Sequence, residues 1–249
     1  MSFLSNTPPV TKNLLLINVL LYVLSLVMMS KGIDLTSYLG AHYFNSPLFQ
    51  PYQVVTHMFM HSLNDFTHIL FNMLLLVMFG SHLERLWGPK RFFIFYFASG
   101  LGAFVLYNSI GFWELMELKT ELIRMGNSMD IINSKTVNLY FSDFEISTMA
   151  PELRKYIELS YSNMVGASGA LFGVLAGFAV LFPNTQLMLL FPPIPIRAKY
   201  LVGAYLLFEI YNSIYMVHDQ VAHLAHVGGA IVGIILVLVW RKKDRENFW

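Results

Sequence analysis

The sequence has no cysteine and few charged residues. Among its 249 residues, Asp, Glu, Lys and Arg together make up 12%, and the formal net charge is +1. The absence of cysteine excludes disulfides and thiolate metal sites, and the near-neutral charge gives no electrostatic basis for binding nucleic acid. Apolar residues are abundant instead: they make up 56% of the chain, and the mean hydropathy is +0.56. This composition is too apolar for a soluble domain and predicts a protein embedded in a lipid bilayer.

Six apolar runs approach the length that a membrane-spanning helix requires, which is about 20 mostly apolar residues. The runs cover residues 14–29, 68–83, 92–110, 165–182, 200–215 and 221–240. The first run lacks the small-residue cleavage pattern of a signal peptide and is interpreted as a retained anchor. We therefore expect an all-α membrane protein, a single domain over residues 1–249 with six transmembrane helices.

The distribution of Lys and Arg predicts the orientation of these helices. Cytoplasmic loops carry an excess of these residues, and an inside N-terminus leaves ten of the 16 on the inner side and six on the outer side. Most of those six lie in one long loop, 111–163. We therefore expect both termini in the cytoplasm, with the second, fourth and sixth helices running inward from the outer face. This arrangement places His68, Ser168 and His226 in one layer near the outer face.

Small residues recur every four positions on the fourth and sixth runs, a spacing that lets transmembrane backbones approach closely. The fourth run has Gly169, Gly173 and Gly177, and the sixth has Ala225, Gly229 and Gly233. Ser168 and His226 each lie one residue from the stripe on their own run, so their side chains flank the same predicted contact. The contact would allow a hydroxyl–imidazole hydrogen bond of about 2.6–3.2 Å. Packing alone is the alternative explanation of the stripes.

Polar side chains on three of the runs form the candidate site. A histidine inside a membrane helix is costly, so a functional group with a partner is the default interpretation. His226 is preferred over His223 as the partner of Ser168, because it lies deeper and adjoins a Gly-Gly pair; a neutral histidine bonded to a backbone carbonyl is the alternative. His68 and Asn72 lie four residues apart on one helix face. They could stabilise an oxyanion or only bond to neighbouring helices.

Three short motifs contain these polar residues. They read Thr-His-Ile-Leu-Phe-Asn at 67–72, Gly-Ala-Ser-Gly-Ala at 166–170 and Ala-His-Val-Gly-Gly at 225–229. In this order on six helices they resemble the rhomboid family of intramembrane serine proteases. Glu-Arg-Leu-Trp-Gly at 84–88 is similar to the turn that follows the second helix in that family.

The resemblance implies a serine endopeptidase with a Ser-His dyad and no third carboxylate. In that scheme Ser168 is the nucleophile, His226 is the base, and His68, Asn72 and the backbone N–H of Ser168 bind the oxyanion. Gly166 belongs with the glycines that pack near the site. The resemblance also implies cleavage of transmembrane segments of other proteins near the outer face, with lateral access past the fifth helix.

The expected partners are transmembrane protein substrates and the lipid bilayer, without nucleic acid, and neither a cofactor nor a metal is expected. We expect a multi-pass protein of a bacterial inner membrane. A non-catalytic rhomboid-like chaperone or adaptor, or a multi-pass carrier, remains open as an alternative. The polar residues gather at one end of the helices rather than along a path through the membrane, which disfavours a carrier.

Three stretches depart from the family pattern. Pro-Tyr-Gln-Val-Val-Thr at 51–56 stands where the family often has a Trp-Arg pair, and Phe172 stands where it often has tyrosine. The extramembrane insertion at about 111–163, between the third and fourth helices, is longer than the family minimum. Its portion 112–125 has the amphipathic pattern of an interfacial helix.

Three further titratable residues have no role in that scheme. His57 and His61 have an i, i+4 spacing that would suit a metal on a helix, but the glutamate of an H-E-x-x-H signature is missing. We interpret them as loop histidines at the membrane interface. Glu209 lies in the fifth run, where it could pair locally, be protonated or line a water-filled gap.

Overall fold

The structure is a computed structural model that describes residues 6–126, 150–188, 193–215 and 222–243. Helices account for most of the described chain. In chain order they are α1 (Pro9–Met29), α2 (Leu35–Leu39), α3 (Gln53–Thr56), α4 (Phe66–Leu75), α5 (Ser81–Trp87), α6 (Pro89–Arg124), α7 (Pro151–Tyr161), α8 (Ser168–Leu181), α9 (Ala198–Tyr215) and α10 (His223–Lys243). A 3₁₀ turn, His57–Phe59, follows α3, and a π-helical segment, Leu76–Gly80, joins α4 to α5 without a break.

Each of the six predicted apolar runs lies largely in a helix, and four helices within the described residues are long and apolar enough to cross a membrane. These four are α1, the continuous helix Phe66–Trp87, α6 and α10. Helix α8 has only 14 residues, a length of about 21 Å against a hydrocarbon core of about 30 Å. Every residue from Gly169 to Phe178 is buried, so other helices rather than lipid surround most of α8. The protein is therefore an integral, multi-pass, helical membrane protein.

Glycine faces set the positions of the two helices that carry the candidate dyad. A Cβ built on Gly229 of α10 would overlap the Gly169 carbonyl of α8, and one built on Gly233 would lie 2.5 Å from the Gly173 carbonyl oxygen. A Cβ on Gly173 would collide with the Ser99 side chain of α6. Side chains at these positions would force α6, α8 and α10 apart. The two predicted small-residue faces therefore lie against each other.

In the predicted insertion at 111–163, residues up to Arg124 continue helix α6, so the amphipathic portion 112–125 is helical but belongs to α6. Leu115, Leu118 and Leu122 recur at helical spacing on its buried face, and they form a cluster with Tyr43 and Tyr156. That packing against the first loop and α7 stabilises the extended helix. Residues 127–149 of the insertion lie outside the described chain. Helix α7 forms most of the remaining C-terminal part of the insertion. The all-α prediction also missed a short antiparallel hairpin, β1 (Gln186–Met188) with β2 (Pro195–Arg197).

Two buried polar side chains, Glu84 and Gln53, connect neighbouring segments through hydrogen bonds. The Glu84 carboxylate of α5 accepts hydrogen bonds from the N–H groups of Val10 and Thr11, at 2.8 and 2.7 Å, and from the Thr11 hydroxyl at 2.8 Å. It thereby satisfies donors that the first turn of α1 leaves without helical partners. Gln53, in the stretch that departs from the family pattern, donates to the carbonyls of Tyr38 and Leu48. This amide holds the loop between α2 and α4 in place.

Candidate active site

The segment before α8 brings the chain to the site in an extended conformation. Ala41 and Met164 exchange backbone hydrogen bonds of 2.8 and 2.9 Å, and the N–H of Gly166 donates to the His57 carbonyl at 2.9 Å. Gly166 has a φ of +129°, in the region that side chains other than glycine rarely adopt. A Cβ there would also lie 2.9 Å from Nε2 of His68. Both the backbone and the available space therefore require glycine.

Ser168 and His226 are joined by a hydrogen bond of 2.8 Å between Oγ and Nε2. Ser168 is the first residue of α8, whereas the sequence had predicted a helix start at residue 165, and His226 lies one turn into α10. The His226 ring stacks on Phe172, with centroids 4.2 Å apart and planes inclined by 11°. The aromatic ring below the imidazole is thus present, without the tyrosine hydroxyl.

A buried carboxylate contacts the other nitrogen of His226. Oε2 of Glu209 on α9 lies 2.8 Å from Nδ1 of His226 and 2.6 Å from Nδ1 of His223. An ionised carboxylate only accepts hydrogen bonds, so an ionised Glu209 requires a proton on each Nδ1, and each Nδ1–H then donates a hydrogen bond to Oε2. Neutral His226 then presents the lone pair of Nε2 to the Ser168 hydroxyl, which is the arrangement of a general base. His223 is also buried in this cluster.

His68 reaches the same place from α4. Its Nδ1 accepts the backbone N–H of Ser62 at 3.2 Å, so the proton of the neutral ring is on Nε2. A point at the Cβ position of Gly166 lies 2.9 Å from that Nε2 and 3.4 Å from the Ser168 Oγ, so the two groups flank one small space. Asn72 lies one turn further along α4, and its Nδ2 donates to the His68 carbonyl at 2.7 Å. The structure therefore brings Ser168, His226 and His68 together, while the Asn72 amide bonds to its own helix.

The two loop histidines are separate from this cluster's hydrogen bonds. His57 donates from Nδ1 to the Gln53 carbonyl at 2.8 Å, and its ring lies 5.6 Å from Phe104; burial lowers its pKa to about 4. Burial, and then the neighbouring His68 ring, lower the pKa of His61 to about 3. Both rings are therefore neutral at pH 7.

Metal-ligating side chains meet at one place in the described parts of the chain, where Glu209, His223 and His226 bring their ligand atoms within 4.8 Å of one another. The nitrogen–oxygen separations of 2.6 and 2.8 Å are those of hydrogen bonds. Two ligands of a tetrahedral zinc, each about 2.0–2.1 Å from the metal, lie about 3.3 Å apart. This geometry favours a hydrogen-bonded network.

Sequence reasoning had named every member of this network but had not connected Glu209 to the histidines. The signal available was the i, i+3 pair His223 and His226 facing a glutamate on the preceding apolar run. Relative rotation of two helices is not encoded in either helix alone, so the pairing became visible only in three dimensions.

Comparison with known proteins points in one direction. The family model described as the Rhomboid domain matches residues 48–118 and 120–243, which include Ser168, His226, His68 and Glu209. The chain is 26% identical over 189 residues to the Rhomboid protease AarA of Providencia stuartii, an alignment that covers 70% of this chain and 51% of that protein. The chain thus spans about half the length of this relative.

Proposed function

The chain belongs to the rhomboid family, and on that premise we propose that it is an intramembrane serine endopeptidase that cleaves transmembrane segments of other proteins. The observation that carries the proposal is the 2.8 Å hydrogen bond between Ser168 Oγ and His226 Nε2 inside an apolar bundle. A serine hydroxyl is a weak nucleophile until an adjacent base removes its proton. A hydroxyl and an imidazole so placed supply that pair.

The proposed reaction has two halves. Ser168 Oγ attacks the carbonyl carbon of the scissile bond while its proton passes to Nε2 of His226. Collapse of the tetrahedral intermediate breaks the C–N bond, Nε2–H protonates the leaving amine, and an acyl-enzyme remains on Ser168. Water, deprotonated by the same Nε2, then hydrolyses the ester and restores the hydroxyl. Each half passes through an intermediate with a negatively charged oxygen.

Three groups are proposed to stabilise that oxygen. The Nε2–H of His68 and the backbone N–H of Ser168 border the space beside the nucleophile, and the Asn72 amide would join them after turning away from the His68 carbonyl. Removal of one such donor typically lowers kcat about 10²–10³-fold. We therefore assign His68 and Asn72 to transition-state stabilisation.

The substrate class follows from the position of the site within the bundle. Ser168 opens a helix whose next ten residues are buried, so a substrate must reach it at the edge of the bilayer. A transmembrane helix hides its peptide bonds in backbone hydrogen bonds, and it must unwind locally to present a carbonyl to Ser168. We propose six spanning helices with both termini in the cytoplasm of a bacterial cell, and cleavage near the outer face of the inner membrane by lateral access past α9.

Labelling by a fluorophosphonate probe tests the proposal, because the probe reacts with an activated serine. The protein in lipid vesicles should be labelled, and Ser168→Ala and His226→Ala should abolish the label. Ser109→Ala, which removes an exposed hydroxyl on α6, is the matched control and should be labelled like the parent chain. An unlabelled parent chain, or a label that survives in Ser168→Ala, would favour a non-catalytic chaperone or adaptor.

A further inference from the structure

We infer that Glu209 is a positioning residue that completes a Ser168–His226–Glu209 triad, so that this chain uses a carboxylate where the family resemblance implies a dyad. The inference rests on the proposed function, because a triad has meaning only if Ser168 is a nucleophile. It concerns a residue that contacts His226 and not the reacting atoms. Its role would be to fix the orientation and the proton of the imidazole.

The contacts of the Glu209 carboxylate carry the argument. The residue is 2% exposed, yet its Oε2 is within 2.8 Å of two imidazole nitrogens. A charge buried in a membrane helix is costly and needs a partner, and charge-assisted hydrogen bonds of this length are among the strongest in proteins. Glu209 is thus held by the same two rings that it orients, and one of them bonds the nucleophile.

An ionised and a protonated Glu209 differ in which ring nitrogens of His223 and His226 carry the protons. A carboxylic acid would donate its own proton to one Nδ1, and that ring would then carry its proton on Nε2. If the ring were His226, Nε2 could not accept the Ser168 proton. An ionised Glu209 instead keeps the proton on Nδ1 and the lone pair on Nε2, the tautomer that a base requires.

Glu209 keeps its positioning role through the reaction, because the proton on Nδ1 of His226 does not pass to the Glu209 carboxylate. When Nε2 takes the proton of Ser168, His226 becomes an imidazolium, and its Nδ1–H stays bonded to the Glu209 carboxylate. The carboxylate remains ionised and stabilises the new positive charge. Nε2 then gives the proton to the leaving amine. His223 holds Oε2 from the other side, which limits rotation of the carboxylate.

The decisive experiment measures the second-order rate of fluorophosphonate labelling against pH in the full chain. Glu209→Gln should slow labelling by up to about 10⁴-fold, the loss seen when the carboxylate of a serine-protease triad becomes an amide. Glu209→Asp keeps the charge and should recover at least roughly tenfold of that loss. Glu84→Gln alters an equally buried glutamate whose carboxylate accepts hydrogen bonds from α1, and it should leave the rate per folded molecule unchanged.

The pH profile separates positioning from a general effect on folding. Loss of the negative charge makes imidazolium formation less favourable, so the acid limb of the labelling profile should move to lower pH in Glu209→Gln. Within the described residues, the other titratable groups around this pair are His68 of α4, Tyr205 of α9 and His223 of α10. The substitution leaves all three in place, and a purely structural role would not move the limb.

The outcomes separate the two proposals. If the parent chain is not labelled, or the label does not depend on Ser168, the proposed function fails and the triad fails with it. If labelling depends on Ser168 but Glu209→Gln reacts like the parent chain with the same acid limb, the triad is overturned and the dyad stands. Should the variant not fold, ¹⁵N-histidine NMR of the parent chain decides. A strongly deshielded Nδ1–H on His226 supports the triad, and a proton on Nε2, or an ordinary Nδ1–H, overturns it.

Discussion

Two buried glutamates at different places in the bundle show how surroundings decide what a carboxylate does. Glu84 and Glu209 are each 2% exposed. Glu84 accepts from two backbone N–H groups and a threonine hydroxyl, donors that do not titrate near neutral pH, so it can only hold α5 against α1. Glu209 accepts from two imidazoles, and one of them also bonds the Ser168 hydroxyl. The same residue type is structural in one place and, through His226, coupled to the proposed nucleophile in the other.

The largest expected effect on activity comes from removal of the Ser168 hydroxyl. Ser168→Ala should lower turnover of a transmembrane substrate about 10⁶-fold, the scale of nucleophile loss in serine proteases. The hydroxyl is half-buried and has one hydrogen-bond partner here, so the free energy of unfolding should change by only about 1 kcal/mol. Turnover in vesicles and thermal unfolding in detergent measure the two effects. A Ser168→Ala variant that retains turnover would show that Ser168 is not the nucleophile. The contrast between Glu84 and Glu209 would then have no functional meaning.

A smaller loss is expected when the glycine contact that aligns the two proposed catalytic groups, Ser168 and His226, is disturbed. In Gly229→Ala the new methyl group meets the Gly169 carbonyl, so α10 must move away from α8 and lengthen the Ser168–His226 hydrogen bond. A displacement of about 1 Å can lower activity about 10²-fold. Labelling rates per folded molecule would measure this loss.

The matched control for this change lies on α9. Gly203→Ala adds the same methyl group where nothing lies within 4 Å, and it should leave the rate intact. Equal rates in both variants would contradict the alignment argument.

The third prediction concerns the structural glutamate. In Glu84→Gln the amide can accept fewer of the three donors, and the free energy of unfolding should fall by about 1–3 kcal/mol. Activity per folded molecule should stay within about threefold, since Glu84 contacts α1 and not the site. Melting temperature together with labelling rate tests this pair of outcomes. A rate loss matching that of Glu209→Gln would erase the distinction between the two carboxylates.

The smallest effect at neutral pH is expected from substitution of His57, whose contribution to the free energy of unfolding changes only at acidic pH. Its pKa is lowered by burial from 6.5 to about 4, so the unfolded chain takes up a proton below pH 6.5 that the folded chain does not bind until about pH 4. Stability from this residue is complete above pH 6.5 and falls as the pH drops toward 4, by up to roughly 3 kcal/mol.

Unfolding measured from pH 7 to pH 4 should therefore show a shallower slope for His57→Gln than for the parent chain. The glutamine keeps a polar side chain at this position but does not titrate. Parallel slopes would assign the acid sensitivity to other groups.

Much of this architecture could be predicted from periodicity and composition. The apolar runs located the helices, and the four-residue glycine spacing identified the faces of α8 and α10 that meet. Because the second, fourth and sixth helices are predicted to run in the same direction, Ser168, His226 and His68 were expected to lie in one layer. Each of these arguments uses information within a single segment or the order of segments, which is why the sequence was sufficient.

The remaining features depend on contacts between distant segments. Helix α6 continues to Arg124 because Leu115 and Leu122 pack against residues of the first loop and α7; the amphipathic pattern of 112–125 indicated a helix but not that it joins the third helix without a break. Helix α8 starts at Ser168 because the preceding residues pair with Ala41 and His57. The bond from Glu209 to His226 depends on the rotation of α9 against α10. These are tertiary choices that override local propensity.

The most direct test of the central claim is cleavage in vesicles that contain only lipid, this protein and a single-span substrate with helix-weakening residues near one end of its span. The account predicts products whose new termini, read by mass spectrometry, lie within or beside that end of the span, and no products with Ser168→Ala. Cleavage that persists in Ser168→Ala, or an intact substrate with the parent chain, would contradict it.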